Sequence, residues 1–170
     1  SLNITGVDSG IWKGLVAYYS LDSNARDQSI YANDGQIFGL PGYMSDRFLK
    51  PSGSLYFNPT NDSYVKIIKH AAPIDGGDRT LSVWFQADAI SNNPPNTRPT
   101  LIAYGDQFAV ARPGGFVYLN FNSCCDMVQL DTWTRWYTSV FNWRDSRWHS
   151  WVVSVKNQTV EFYVDGKKGL

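Results

Sequence analysis

The segment TVEFYVDG, residues 159–166, decides how the chain is read. Val160, Phe162 and Val164 alternate with Thr159, Glu161 and Tyr163, the period of two that gives a strand one apolar and one polar face. Asp165-Gly166 follows, a pair suited to a two-residue hairpin turn. The sequence therefore predicts a strand over 159–164 that reverses at 165–166 and starts back through Lys167-Lys168-Gly169-Leu170. That return strand has barely begun when the sequence stops. An open sheet edge is expected there, completed by residues beyond Leu170 or by pairing with another chain.

The same grammar runs backward along the chain. Trp148 to Val155 reads as the neighbouring strand, joined to 159–164 through Lys156-Asn157-Gln158. Leu15 to Tyr19, Gln36 to Phe38, Ser54 to Phe57 and Tyr64 to Ile68 are further β-prone runs, separated by turn clusters. Thr80 to Gln86, TLSVWFQ, reads as apolar on both faces and hence as a central strand covered on both sides. Thr100 to Tyr104 and Gln107 to Ala111 flank a Gly105-Asp106 turn, and Phe116 to Phe121 follows Gly114-Gly115. Ser91 to Pro99 can only be a loop, because its prolines remove backbone donors. Asp131 to Arg147 is aromatic-rich and reads as irregular. No amphipathic helix longer than about two turns stands out, so the pattern is that of an all-β sandwich.

Composition agrees. Of 170 residues, 7 are Trp, 10 Tyr and 9 Phe, a load that suits strands and sugar-stacking surfaces. Glu161 is the only Glu beside many Asp, which favours turns over helix interiors. The length suits one domain over residues 1–170. A balance of 15 basic and 15 acidic residues argues against an electrostatic nucleic-acid binder. No apolar run approaches the roughly 20 residues of a membrane helix. The 2 cysteines, Cys124 and Cys125, are adjacent. Free thiols, a strained vicinal disulfide and pairing with another chain all stay open for them. Three N-glycosylation sequons, at Asn3, Asn61 and Asn157, are compatible with secretion.

Four stretches in order carry a family resemblance. The first is Gly14-Leu15-Val16-Ala17-Tyr18-Tyr19 with Asp22, Asn24-Ala25, Asp27, Ser29 and Asn33-Asp34-Gly35. The second is Asp46-Arg47-Phe48, then Ser54-Leu55-Tyr56-Phe57 and Asp62 to Ile67. Thr80 to Phe85 is the third. Trp148-His149 with Thr159 to Gly166 is the fourth. Together they resemble the laminin G-like domains of the concanavalin A-like lectin/glucanase superfamily. The resemblance covers roughly residues 12–168 and is poor over Ala87 to Arg147. It implies a jelly-roll sandwich of two curved antiparallel sheets, extracellular or at the cell surface, serving as an accessory or adhesion module. The final strands of the family, from which calcium-binding members commonly take a ligand, are missing here. The Cys-Cys pair and the Trp-rich segment are not family features.

Two residue sets are candidates for a site. Asp22, Asp27, Asn33 and Asp34 offer the oxygens that calcium requires, and they equally suit turns that bond their own backbone. Trp133, Trp136, Tyr137 and Trp143, with Phe141 nearby, offer flat rings for sugar C–H faces, with Arg144 among the groups for hydroxyls. The same rings also suit a buried core. His149 repeats a family motif and reads as structural. Catalysis lacks its parts. Retaining glycosidases pair two carboxylates about 5 Å apart, and one Glu cannot supply the Glu-x-Asp-x-x-Glu run of this fold's glycosidases. Neither His-Glu-x-x-His nor Gly-x-Ser-x-Gly occurs. The expectation is a non-catalytic, extracellular carbohydrate-binding or cell-adhesion module. The alternative is a structural module joining subunits of an extracellular assembly, its partner another extracellular protein.

Overall fold

The computed structural model describes residues 13–58, 61–68, 78–87, 100–104, 117–122, 127–132, 135–140, 143–157 and 159–169, and of the strands between 104 and 142 the backbone alone. Every regular element among them is a strand, and every pairing is antiparallel. The all-β class expected from the sequence is the one observed. The chain divides into two compact units, Ser1–Ala72 and Pro73–Leu170.

The first unit holds two short ribbons. β1 (Gly35–Phe38) pairs with β4 (Tyr64–Ile67), and β2 (Gly42–Met44) with β3 (Ser54–Tyr56). Phe38 lies opposite Tyr64, and their rings stack with centroids 4.8 Å apart. Gly39 follows β1 at φ +72°, where a Cβ would stand 2.6 Å from Ser63 Oγ. Only glycine fits such a turn without strain. The expected strand over Leu15 to Tyr19 is absent, and Tyr19 makes one bridge, to Asp27. The side chain of Asp27 captures the Tyr18 N–H at 2.8 Å, so a side chain takes the bond that a neighbouring strand would otherwise accept.

The second unit holds two four-stranded sheets. In one, the order is β12 (Lys167–Lys168), β11 (Thr159–Val164), β10 (Trp148–Lys156), β5 (Arg79–Gln86). In the other, β6 (Thr100–Tyr104), β7 (Val117–Asn122), β8 (Met127–Thr132) and β9 (Arg135–Val140) form a meander. The turn at 165–166 has φ +48° at Asp165 and +74° at Gly166. Two positive values in succession are the signature of a type I′ hairpin turn, and Lys167 and Lys168 duly pair with Val164 and Tyr163.

Two expectations are corrected here. Asp131 to Arg147 is not irregular, since β8 ends and β9 runs within it. Thr80 to Gln86 is not covered on both sides. Phe85 is buried while Trp84 is 47 % exposed, and among the described residues β5 is the terminal strand of its sheet. The strand expected over Gln107 to Ala111, the loop Ser91 to Pro99 and the cysteines lie outside the described residues.

The core of this unit is the inner face of the β5–β10–β11 sheet. Phe85, Trp151, Val153, Phe162 and Val164 cluster there with Trp143, and Leu101 and Ile102 of β6 pack against them. Trp151 is fully buried and Phe162 nearly so. Burying one such large side chain contributes about 1.5–3 kcal/mol, so this cluster outweighs any surface contact in holding the sheet.

Candidate functional site

The alternation that fills the core leaves a second face. On β5 it carries Thr80, Ser82, Trp84 and Gln86. On β10 it carries Trp148, Ser150, Val152 and Ser154, and on β11 Glu161 and Tyr163. Register aligns them in rows. Trp84 lies opposite Ser150, Val152 stands between Ser82 and Tyr163, and Ser154 stands between Thr80 and Glu161. Lys168 of β12 joins Tyr163 at the far side. Trp84 is thus a large, half-exposed ring on a face that also carries Trp148, Val152, several hydroxyls, an amide and one ion pair.

At the β11 end the polar groups are already organised. Lys168 Nζ donates to Glu161 Oε1 at 2.5 Å, and Tyr163 Oη donates to Oε2 at 2.9 Å. The Lys168 bond, and then the Tyr163 bond, hold the Glu161 carboxyl below the usual range. Lys168 is raised by the same contact. Near neutral pH this is a carboxylate with an ammonium ion on one oxygen and a phenol on the other.

Beneath this face lies a clamp. His149, buried on the opposite side of β10 from Trp148, faces a carboxylate with each ring nitrogen. Nδ1 is 2.7 Å from Asp165 Oδ2, and Nε2 is 2.9 Å from Asp145 Oδ1. Burial works to lower the imidazole, but the hydrogen bonds to Asp145 and Asp165 outweigh it, and the pKa is raised above 6.5. Asp165 Oδ1 also accepts the Ser150 N–H at 2.8 Å. The hairpin turn is thereby tied to the start of β10. The expectation that His149 is structural matches this geometry.

Of the aromatic candidates, Trp143 alone has a described side chain. Trp143 is 2 % exposed and belongs to the core cluster, so its ring offers no stacking surface. The Arg144 guanidinium lies over that ring, 4.5 Å from its centroid. Trp136 and Tyr137 occupy consecutive positions on β9, opposite Asp131 and Leu130. Consecutive strand residues belong to opposite faces of a sheet. Trp133 lies outside the described residues. Trp84, Trp148 and Tyr163 were missed as candidates. The signal lay in the polar alternation of Thr80, Ser82 and Gln86 around a lone Trp.

The Asp/Asn loop has separate employments. Asp27 Oδ1 accepts the N–H groups of Tyr18 and Ser29, each at 2.8 Å. Its Oδ2 accepts Ser29 Oγ at 2.7 Å and the Asn33 N–H at 2.8 Å. Asp34 Oδ1 accepts the Asp27 N–H at 2.9 Å. Asp22 takes Lys50 Nζ and Ser20 Oγ, both at 2.5 Å. Asn33 donates from its side-chain amide to Val16 O at 3.1 Å, and its backbone carbonyl accepts the Tyr19 hydroxyl at 2.6 Å. Burial, then the charges of Asp27 and Asp34, push the Tyr19 phenol up to about 12. Calcium needs lone pairs converging on one point. Here several of the carboxylate oxygens already accept N–H, O–H or ammonium donors, and among the described residues no group of three or more acidic, His or Cys side chains is placed to hold a metal. As arranged, these side chains bond the backbone and side chains of their own turns.

Among the described residues the fold is all-β and antiparallel, and in the second unit β6 packs against the core of the β5–β10–β11 sheet. Among solved structures the chain is similar to domain 4 of AbnA, a GH43 extracellular arabinanase from Geobacillus stearothermophilus, in complex with arabinotriose. Identity is 16 %, the TM-score is 0.57, and the match covers 91 % of this chain and 72 % of that one. At such identity the likeness is one of fold. No protein-family model matches the chain, and no curated protein matches it. Among the described residues no helix is long and apolar enough to cross a membrane.

Proposed function

We propose that this chain is an extracellular carbohydrate-binding module of laminin G-like type, without catalytic activity, with Trp84 as its stacking platform. The observation that carries the reading is a Trp 47 % exposed on a sheet face lined by polar side chains. An aromatic ring gives a sugar an apolar floor, while surrounding hydroxyls and carboxylates take its hydroxyls. Support comes from the shared fold with a domain solved with arabinotriose bound. Catalysis would call for two carboxylates on either side of a glycosidic bond. Among the described strand positions of this face Glu161 is the one carboxylate, and Asp165 of the adjoining turn is engaged by the Ser150 N–H and by His149.

The test is calorimetric titration with arabino-oligosaccharides and a panel of other neutral oligosaccharides. Trp84→Ala should weaken binding roughly tenfold, the size of a lost stacking contact of about 1.4 kcal/mol. Trp136→Ala and Tyr137→Ala serve as parallel arms. Loss of binding in those variants, with Trp84→Ala unaffected, would move the site to the β6–β9 sheet. Absence of binding to every sugar would end the reading.

A second reading has one observation in its favour. Phe48 and Leu49 are 73 % and 83 % exposed at the tip of a turn. Asp46 Oδ1 fixes that turn by accepting the N–H groups of Phe48 and Lys50. Two exposed apolar side chains on a fixed turn, one with the Arg47 guanidinium 4.3 Å from its ring centroid, suit an interaction module that joins protein subunits. Sedimentation of the chain, with and without Phe48→Ser, distinguishes this: self-association lost in the variant favours the second reading.

A further inference from the structure

We infer that Glu161, Tyr163 and Lys168 form a second, hydrogen-bonding subsite on the face that bears Trp84, so that the site suits a linear neutral oligosaccharide rather than a single sugar or an acidic one. The inference rests on the carbohydrate-binding reading above and adds the length and charge of the ligand.

Register sets the span. Trp84 lies opposite Ser150 on β10, and Glu161 lies opposite Ser154 on the same strand. The two positions are therefore two strand spacings apart across the sheet and four residues apart along it. With about 4.8 Å per strand and 3.4 Å per residue, the diagonal is about 17 Å, several sugar rings rather than one. Val152 provides an apolar floor midway, and Ser150 and Ser154 border it.

Chemistry sets the ligand. A carboxylate offers about four acceptor positions. Tyr163 and Lys168 take one on each oxygen of Glu161, which leaves positions for neighbouring hydroxyls. Lys168 uses one of its three N–H bonds on Glu161 and keeps others for a sugar oxygen. The pair is electrically balanced, and its ammonium is already turned to its own carboxylate. A uronic acid would have to desolvate its carboxylate beside a pair with no net charge to attract it. Hydroxyls face no such penalty.

The experiment uses ladders of neutral pentose and hexose oligosaccharides, two to six units long, beside oligogalacturonides of the same lengths. Affinity for the neutral chains should rise over the first steps and then level off, and the acidic chains should bind at least tenfold more weakly. Glu161→Gln should remove the gain with length while leaving the shortest chain within about twofold, and Trp84→Ala should weaken every length. Tyr163→Phe, which removes only a phenol oxygen, gives a second variant, and melting curves confirm that both fold. Neutral chains that bind to wild type and to both subsite variants alike would overturn the inference and leave the module reading standing. Acidic chains that bind as tightly as neutral ones would overturn it as well. Failure of every sugar to bind wild type would overturn both.

Discussion

His149→Gln is the most searching test of how the second unit is held together. In the native chain both ring nitrogens of a buried imidazole face carboxylates, at 2.7 and 2.9 Å. A hydrogen bond with charge on either partner contributes about 1.5–3 kcal/mol. The side chains of Asp165 and Asp145 are 40 % and 25 % exposed, and water weakens both contacts. A net loss of about 3 kcal/mol is the reasoned figure for His149. At roughly 2–4 °C per kcal/mol for a chain of this length, the melting temperature should fall by about 6–12 °C. The pH profile is the sharper readout. The folded imidazole has its pKa raised above 6.5, so its contribution is fully present below pH 6.5 and is lost as pH rises through the folded value. The carboxyls of Asp145 and Asp165 are lowered below 3.8, so their contributions are present above that pH and lost as it falls. Wild type should be most stable between about pH 4 and 6.5 and decline on the alkaline side. Urea unfolding from pH 4 to 9 measures this, and the variant should lack the alkaline decline. Parallel curves for the two proteins would refute the argument, whatever the offset between them.

Asp27→Asn turns an amide N–H₂ toward donors that now meet a carboxylate. It should cost about 2–4 kcal/mol by loss of at least two hydrogen bonds, measured as a shifted urea midpoint; a change under about 0.5 kcal/mol would contradict the assigned role. Millimolar calcium should leave the melting temperature unchanged, because a ligand stabilises only the state that binds it. A clear rise would mean that Asp22, Asp27, Asn33 and Asp34 rearrange into a shell.

What was legible in the sequence was whatever local alternation fixes. The final hairpin is the clearest case, because Val160, Phe162 and Val164 face one way and Asp165-Gly166 demands its own turn type. Trp84 was illegible for the opposite reason. Val83, Trp84 and Phe85 are three apolar neighbours, and a continuous run hides which of them a half-buried strand turns outward. Leu15 to Tyr19 has the composition of a strand, yet pairing depends on a partner edge, and the carboxylate of Asp27 takes up the N–H of Tyr18 instead. Trp143 fits a sugar platform by chemistry, and only packing against Trp151 and Phe85 places it in the core. In the acidic loop, residue types alone suit both turns and a metal, and which backbone groups Asp27 and Asp34 bond is set by tertiary placement.

The position of β10 between β11 and β5 also dictates an order of assembly. Its pairing with β11 closes across two residues, whereas its pairing with β5 joins segments separated by roughly 60 residues. On a logarithmic closure law, the second event costs about 3 kcal/mol more chain entropy than the first. The C-terminal hairpin therefore nucleates early, and the capture of β5 waits until the intervening meander has drawn in the slack. Refolding of this chain should be governed by that late, long-range step, at the slow pace of topologies rich in distant contacts.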